Sequence, residues 1–168
     1  MIPFKRIYYE SAVYHVISRG NNKHYILKNE EDKISFLLSL AKYKERFSFR
    51  VYGFVLMDNH IHMIMEVNEK HTISKVMQAI LLSYSRKYRS KYGYVGHLWQ
   101  GRFNSIPMLK ERYILELIDY IHHNPVRAKM VTQAIDYIWS SARFYAKLEN
   151  KEIDETILID EYGHFYCN

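Results

Sequence analysis

Apolar and polar positions along the chain repeat with two different periods, and the changes between them predict the secondary structure. Residues 11–19 (SAVYHVISR) are β-branched and aromatic and end at a Gly-Asn-Asn turn signal, which predicts a strand. Residues 29–47 begin with an asparagine cap and early acids and then carry apolar side chains at helical spacing, which predicts a helix. Two further apolar runs, 49–57 and 60–67, are joined by two polar residues, so we expect a β-hairpin.

The second half of the chain continues the alternation. A helix is predicted over 72–92, capped by Thr72 or Ser74, then a strand within 96–108 and a third helix over 110–123 that ends before Pro125. The predicted order is strand, helix, strand, strand, helix, strand, helix, without repeats or low-complexity linkers. This order predicts an α+β fold, a ferredoxin-like sandwich whose antiparallel sheet carries two helices on one face and the third elsewhere.

Length and composition favour one globular domain. The 168 residues, 48% of them hydrophobic, can fill a single core, which we assign to 1–148, followed by an acidic extension over 149–168. The single cysteine, Cys167, allows neither an intrachain disulfide nor a thiol-based metal site. The N-terminus lacks a signal peptide and no apolar run is long enough to span a membrane, so we expect a cytoplasmic protein without a membrane partner.

The charge is unevenly distributed along the chain. Residues 72–131 carry ten Lys or Arg against three acids, a net +7, whereas residues 149–168 carry six acids against one lysine, a net −5. In the stretch 83–94 (SYSRKYRSKYGY) the basic residues alternate with tyrosines, a combination that suits a nucleic acid whose bases stack on rings. The alternative is a solvated amphipathic helix without a partner, and we interpret the acidic end as a solvated extension.

Two histidines stand two positions apart in the run 60–67. In a strand, His60 and His62 share a face with Ile64 and Glu66, while the apolar residues between them point to the core. The two imidazoles are then about 7 Å apart along the strand and could converge on one metal ion. The alternative is a pair of polar residues on a half-exposed sheet face. A histidine-triad hydrolase would need a third histidine where this chain has Ile64.

A tyrosine and an asparagine stand one helical turn apart in the third predicted helix. Tyr120 and Asn124 lie at the edge of its apolar stripe, where a side chain can face the sheet. Asn124 could supply an amide oxygen to a metal, and Tyr120 a phenolic oxygen to a substrate beside it. Both also have ordinary interpretations, as a tyrosine at the rim of the core and as the last residue of a helix before Pro125.

Five separate motifs occur in one order along the chain: YHVISRGNNK (14–23), YGFVLMDNHIHMIM (52–65), LWQGRF (98–103), YIHHNPVRAKMV (120–131) and WSSARFY (139–145). Together they closely resemble the single-tyrosine HUH transposases, in particular the branch associated with repetitive extragenic palindromes. The resemblance covers residues 12–145 and leaves the acidic extension unmatched. It implies an HUH-endonuclease fold of the ferredoxin-like type.

The resemblance also implies a metal-dependent strand-transfer reaction. His60 and His62 match the metal-binding pair, Asn124 the residue that completes the site, and Tyr120 the nucleophile; the expected cofactor is Mg²⁺ or Mn²⁺. Attack by Tyr120 would give a 5′-phosphotyrosine and a free 3′-hydroxyl. Asp58 stands where many relatives have a proline, which changes the expected turn and offers a carboxylate near the metal. His122 and His123 also vary from the commoner pattern and face different sides of the helix.

The expected partner is single-stranded DNA with hairpin or palindromic structure, bound by a monomer or a homodimer. The candidate DNA-binding residues are Arg19, Arg86, Lys87, Arg89, Lys91, Trp99, Arg102 and Arg127. A tryptophan in this setting is more often a core anchor than a base platform. Two other functions remain open at this stage, a non-catalytic nucleic-acid-binding module of the same fold and a domesticated nickase with a host role.

Overall fold

The elements of the structure follow the order predicted from the sequence. The computed structural model describes residues 12–108, 112–148 and 158–160. The strands are β1 (Val13–Arg19), β2 (Arg50–Leu56), β3 (His60–Glu66) and β4 (Asn104–Met108), and the longer helices are α1 (Glu30–Phe47), α2 (Ile73–Tyr92) and α3 (Arg112–His122). Two short helices follow, α4 (Asn124–Arg127) and α5 (Ala142–Tyr145).

The four strands form one antiparallel sheet in the order β2-β3-β1-β4. This arrangement confirms the predicted α+β fold, including the hairpin of β2 and β3. The hairpin strand β3 lies in the centre and is paired on both sides, so its register with β1 determines which side chains meet. Three register pairs build the candidate site: Arg19 with His60, Ile17 with His62, and His15 with Ile64.

The face of the sheet that carries His60 and His62 is covered in part by α3. The contact is close at Gly53, because a Cβ added there would lie 3.5 Å from side-chain atoms of both Ile118 and Ile121. An ordinary van der Waals distance at this point means that α3 packs against the backbone of β2 itself. The third helix therefore lies over the histidine face, where the sequence left its position undefined.

The opposite face of the sheet carries the main core. Ile61, Met63 and Met65 alternate with the histidines along β3 and are all fully buried, as the period of a strand requires. They belong to one cluster with the apolar residues of α1 and α2, two helices that also pack against each other. The assignment of this face of β3 to the core is confirmed.

Caps define the two long helices. The side chain of Asn29 accepts a hydrogen bond from the backbone of Asp32 at the start of α1, and Thr72 accepts one from Lys75 at the start of α2. Thr72, rather than Ser74, is therefore the cap of α2. Gly93 ends α2 in the left-handed conformation, with φ of 60°. No helix within the described residues has both the length and the apolar character needed to cross a bilayer.

The fourth strand is shorter than the interval 96–108 in which it was predicted. Only Asn104–Met108 pairs with β1, because Gly96 and Gly101 take φ values of 105° and 64°, which no extended strand contains. The residues between them form a loop that touches the sheet at one point, an isolated bridge between Trp99 and Gly20. Here we call residues 97–103 the β4 approach loop.

Part of the acidic extension packs against the domain. Asp160 exchanges backbone and side-chain hydrogen bonds with Val51 on β2 and pairs with Lys44 of α1 at 2.8 Å. Leu158 and Ile159 are buried beside it. These three residues thus differ from the solvated extension that we expected. The remainder of the extension, including Cys167, lies outside the described residues.

Candidate active site

His60 and His62 project from β3 toward the face covered by α3. Their ring centroids are 5.1 Å apart and the ring planes are inclined by 79°, so the two imidazoles lie edge to face instead of stacked. His62 is buried, with 9% of its surface exposed, whereas His60 at the start of the strand is half-buried. The two side chains lie close enough together to bind one ion near the start of β3.

Each histidine uses one ring nitrogen within the protein. Nδ1 of His60 lies 2.6 Å from Oδ1 of Asn59, an acceptor, so this nitrogen donates. Nδ1 of His62 lies 3.0 Å from Nε2 of His15, and the two rings stack at 5.3 Å. Histidine ligands commonly bind metal through one nitrogen while the other donates a hydrogen bond that fixes the ring. This donor set fits a metal ion that would be bound through the two Nε2 atoms.

The surroundings keep this histidine cluster neutral. Burial, and to a smaller extent the nearby charges of His60, His15 and Arg127, lower the pKa of His62 to about 3. Burial and the charge of Arg19 also lower the pKa of His60, against a smaller opposing effect of Asp58. A neutral imidazole retains the lone pair that a metal needs, so both side chains are competent as ligands at neutral pH.

His15 belongs to this cluster but was not a candidate from the sequence. Burial lowers its pKa below the ordinary value, and its Nε2 faces His62. A single histidine inside an apolar strand carries no signal of its own. Its relation to His62 follows from the register of β1 and β3, which sets His15 opposite Ile64 and therefore diagonal to His62.

The carboxylate of Asp58 is engaged in an ion pair with α1, although its charge still acts on His60. Its Oδ1 pairs with Nζ of Lys33 on α1 at 2.8 Å, and its backbone oxygen accepts from the amides of Ile26 and Leu27. We had expected this carboxylate as a further group near the metal. Instead it ties the turn before His60 to α1.

A close approach at the end of β1 fixes the other side of this turn. The backbone amide of Gly20 donates to the oxygen of Asn59 at 2.8 Å. A Cβ on Gly20 would lie 2.2 Å from the backbone oxygen of His24 and 2.8 Å from Ile26. Only glycine fits this position, and its backbone contact holds Asn59, the hydrogen-bond partner of His60, in place.

Tyr120 lies in the last turn of α3 with 52% of its surface exposed. The guanidinium of Arg127 stacks over its ring, 4.2 Å from the centroid, and also donates to the backbone oxygen of Tyr120 at 2.6 Å. The stripe of α3 that packs inward consists of Ile114, Ile118 and Ile121, so Tyr120 is outside the core. An exposed phenol next to a cation is accessible to a phosphate group.

Asn124 is held in place by two hydrogen bonds. Its Nδ2 donates to the backbone oxygen of Ile121 at 3.0 Å, which leaves Oδ1 to act as an acceptor. That oxygen accepts from Arg127 at 3.1 Å and keeps a second lone pair. Since the charge of Arg127 also acts on His62, this end of α3 lies near the histidines. Within the residues that the structure describes, no three His, Cys, Asp or Glu side chains are grouped so that they could hold a metal ion.

The two histidines before Asn124 have separate roles. His122 is buried, and its Nε2 lies 2.7 Å from Oγ of Ser141. Burial lowers its pKa to about 4, so the ring is neutral inside the core. His123 is exposed and pairs with Asp119 one turn earlier. His122 is therefore a packing residue.

The candidate DNA-binding residues divide among three surfaces. Arg19 and Arg127 are beside the histidines, where the charge of each acts on one of the two rings. Arg89 and Arg102 line a groove between α2 and the β4 approach loop. The third surface lies along α2 toward α1 and contains Arg86, Lys87 and Lys91.

The members of the third surface differ in how they are engaged. Lys91 forms ion pairs with Glu31 and Asp32, both at 2.7 Å, so its charge is partly neutralised within the protein. Lys87 donates to the backbone oxygen of Ser35 at 3.4 Å, a longer contact, and Arg86 is exposed. Arg86 and Lys87 are therefore more available to a phosphate than Lys91.

Trp99 is a core anchor in the structure. Its Nε1 donates to the backbone oxygen of Leu81 and to Oγ of Ser85, and its ring packs against Phe36 and Tyr84. With 9% of its surface exposed, the ring offers little area to a base. This arrangement corresponds to the alternative that we raised for a tryptophan in this setting.

Comparisons with known proteins agree with this architecture. A family model described as "Transposase IS200 like" matches residues 8–124. The chain is similar to a REP-associated tyrosine transposase bound to a REP hairpin, with a TM-score of 0.70 and 18% identity over 88% of this chain and 86% of that chain. It is also similar to a candidate transposase from Deinococcus radiodurans R1, with a TM-score of 0.51 and 17% identity over 73% of this chain and 97% of that chain. No curated protein matches in sequence. At sequence identities this low, the structural similarity establishes a common fold and nothing further.

Proposed function

This chain belongs to the IS200-like transposase family, and we propose that it nicks and rejoins single-stranded DNA through Tyr120 with the help of a divalent metal ion. The family is the one to which the sequence motifs pointed. The observation that carries the proposal is the close approach of two neutral imidazoles, 5.1 Å between centroids, whose Nδ1 atoms are both engaged in hydrogen bonds, so that each would bind a ligand through Nε2.

The proposed metal ligands are Nε2 of His60, Nε2 of His62 and Oδ1 of Asn124. The resemblance of the motifs points to Mn²⁺ or Mg²⁺; the amide oxygen is a suitable ligand for either ion, and three protein ligands would leave positions open for phosphate oxygens. When bound, such an ion polarises a phosphate and stabilises a departing oxygen. Nδ1 of His62 donates a hydrogen bond to His15 and Nδ1 of His60 donates one to Asn59, and these two bonds would hold the rings in the orientation that ligation needs.

Tyr120 is the proposed nucleophile. Its phenolic oxygen attacks the phosphorus in line as the bond from phosphorus to the 3′-oxygen breaks, so one strand ends as a 5′-phosphotyrosine and the other as a 3′-hydroxyl. The phenol loses its proton and the leaving oxygen gains one. The new ester keeps the energy of the broken bond, and a 3′-hydroxyl can therefore reverse the reaction without ATP. Arg127, stacked on the ring, supplies a positive charge where the scissile phosphate would lie.

The proposed substrate is single-stranded DNA that contains a hairpin. The relative with a TM-score of 0.70 is bound to a REP hairpin, which supports this substrate class. Exposed basic residues beside the histidines and along α2 suit the phosphates of such a strand. A folded hairpin with a flanking strand is long enough to reach more than one of these surfaces.

A covalent adduct tests the proposal directly. Incubation of the protein and Mn²⁺ with a panel of single-stranded hairpins from the palindromes of the source genome should yield a protein–DNA adduct that survives denaturing electrophoresis. Tyr120→Phe, which removes one oxygen, should abolish the adduct and leave DNA binding intact. Tyr113→Phe is the matched control, because Tyr113 is an exposed tyrosine earlier on α3. An adduct that mass spectrometry maps to another tyrosine, or the absence of an adduct across the panel, would overturn the assignment.

A further inference from the structure

A groove that contains neither His60 nor His62 lies between α2 and the β4 approach loop. It has a volume of about 540 Å³ and opens to solvent. Its lining includes apolar and polar side chains from both elements, namely Gln78, Leu81, Leu82, Arg89, Arg102 and Phe103. The apolar and cationic members of this lining lie together in one concave surface.

The chemistry of the groove is that of a site for a nucleotide. Leu82 is 44% exposed although it is apolar, and with Leu81 and Phe103 it offers a hydrophobic wall. Two guanidinium groups, those of Arg89 and Arg102, line the same groove, and that of Arg89 is held by a hydrogen bond of 2.8 Å to the backbone oxygen of Gly96. A base with its adjoining phosphates matches an apolar wall combined with cations.

The groove is connected to the candidate active site through the backbone. The amide of Gln100 in the β4 approach loop donates to the oxygen of Arg19 at 2.8 Å. Arg19 in turn is the register partner of His60, and its charge acts on that histidine. Arg102 follows Gln100 by two residues, at most about 7 Å along the chain. A single strand leaving the histidines past Arg19 would therefore meet the groove within a few nucleotides.

We propose that this groove binds an unpaired base of the DNA strand that flanks the scissile phosphate. The inference rests on the proposed function, since it assumes that the scissile phosphate lies at the histidines. The groove would act as a second anchor that holds the flank while Tyr120 reacts. Its apolar wall would take the base, and Arg89 and Arg102 would take the adjoining phosphates.

The test separates bases from phosphates. Two labelled oligomers of equal length, about 10 nucleotides, are compared in chelator, where no cleavage takes place: oligo(dT) and its abasic counterpart, which has the same phosphates without bases. Binding to the full chain is measured by fluorescence anisotropy. The variant is Leu82→Ala, and the matched control is Leu38→Ala, which removes the same atoms from an exposed position on α1 outside the groove.

We expect the wild-type protein to bind oligo(dT) about tenfold more tightly than the abasic oligomer. Leu82→Ala should reduce this ratio to about threefold or less with an unchanged melting temperature, and Leu38→Ala should keep it. Equal binding of the two oligomers by the wild type, or a ratio that Leu82→Ala leaves intact, would overturn the proposal. A change in sedimentation with Leu82→Ala and an intact ratio would instead identify the groove as a contact between copies, and also overturn it.

The outcomes for the groove and for the reaction are independent. The base preference is measured without metal or cleavage, whereas the adduct with Tyr120 needs both. If the wild-type protein shows no preference for bases but forms a normal adduct, the proposal for the groove fails and the proposed reaction stands. A base preference that depends on Leu82, without any adduct, would remove the nicking reaction and leave the groove as a binding site for single strands.

Discussion

Nε2 of His15 lies 3.0 Å from Nδ1 of His62, so a side chain on β1 holds a candidate metal ligand on β3. The two rings also stack with an angle of 24° between their planes. The contact crosses the pairing of the two central strands, where the backbone is fixed on both sides. The orientation of His62 is therefore determined by the sheet.

We predict that His15→Ala weakens Mn²⁺ binding by about 10- to 100-fold, because His62 loses the partner that fixes its ring. His15→Gln should recover part of the affinity, since its amide oxygen can accept from Nδ1 of His62. Titration calorimetry with Mn²⁺ alone measures both. Wild-type affinity in His15→Ala would show that the contact does not orient the ligand.

Replacement of both His60 and His62 by alanine should abolish nicking and reduce Mn²⁺ affinity by more than about 100-fold. Binding to single-stranded DNA should persist, because the substitutions leave all the candidate basic residues in place. Nicking gels run with Mn²⁺ or with chelator, together with anisotropy, distinguish the two effects. Full nicking by the double variant in chelator would remove the metal from the mechanism.

Arg127 should influence metal binding and catalysis in opposite directions. Its guanidinium donates a hydrogen bond to Oδ1 of Asn124 and adds a positive charge near His62, and both effects oppose a bound cation. Arg127→Ala should therefore bind Mn²⁺ more tightly in the absence of DNA. The same variant should nick more slowly, because the cation beside Tyr120 is gone. Calorimetry and single-turnover cleavage report the two quantities. Weaker metal binding in Arg127→Ala would contradict this role.

DNA binding should depend strongly on salt, and unequally on the basic residues of α2. Arg86→Ala combined with Lys87→Ala should flatten the plot of log affinity against log salt by about one unit for each phosphate contact removed. Lys91→Ala should change the slope less, because its charge is already paired with Glu31 and Asp32. Equal affinity for blunt duplex and hairpin, or equal slopes for all variants, would argue against this surface.

Gly20→Ala should destabilise the fold by about 1–3 kcal/mol, since the added Cβ meets a backbone oxygen at 2.2 Å. Gly53→Ala serves as the control: its Cβ would have only ordinary contacts at 3.5 Å, and we expect a smaller change. Urea unfolding of each variant gives the free energies. If both substitutions cost the same, the close approach at Gly20 is not what holds the turn.

Much of the architecture could be predicted from local patterns. Element order, the hairpin and the caps at Asn29 and Thr72 depend on residues close in sequence, and these predictions are confirmed. The predicted fourth strand was too long, because the pattern of apolar residues does not reveal the positive φ values at Gly96 and Gly101. The backbone conformation of a glycine depends on the relative positions of the elements on either side of it, and the pattern of apolar residues carries no information about those positions.

The candidate site was predictable only in part for the same reason. The shared face of His60 and His62 follows from the period of a strand. The addition of His15 requires the register between two strands that are 47 residues apart at that contact. The direction of the Asp58 carboxylate likewise depends on Lys33, a residue on another element. The roles assigned to Tyr120 and Asn124 remain predictions.

The ion pair of Asp58 and Lys33 has a consequence for how firmly the turn before His60 is held. A ring such as proline would stiffen the turn equally in any buffer, whereas attraction between charges weakens as ions accumulate around them. Lys33 is largely shielded, but about a third of the Asp58 side chain, 36%, faces the solvent, so the pair is open to this screening. Added salt would then weaken two things, the affinity for DNA and the rigidity of the turn. We therefore expect the nicking rate to fall more steeply with salt concentration than the DNA affinity does.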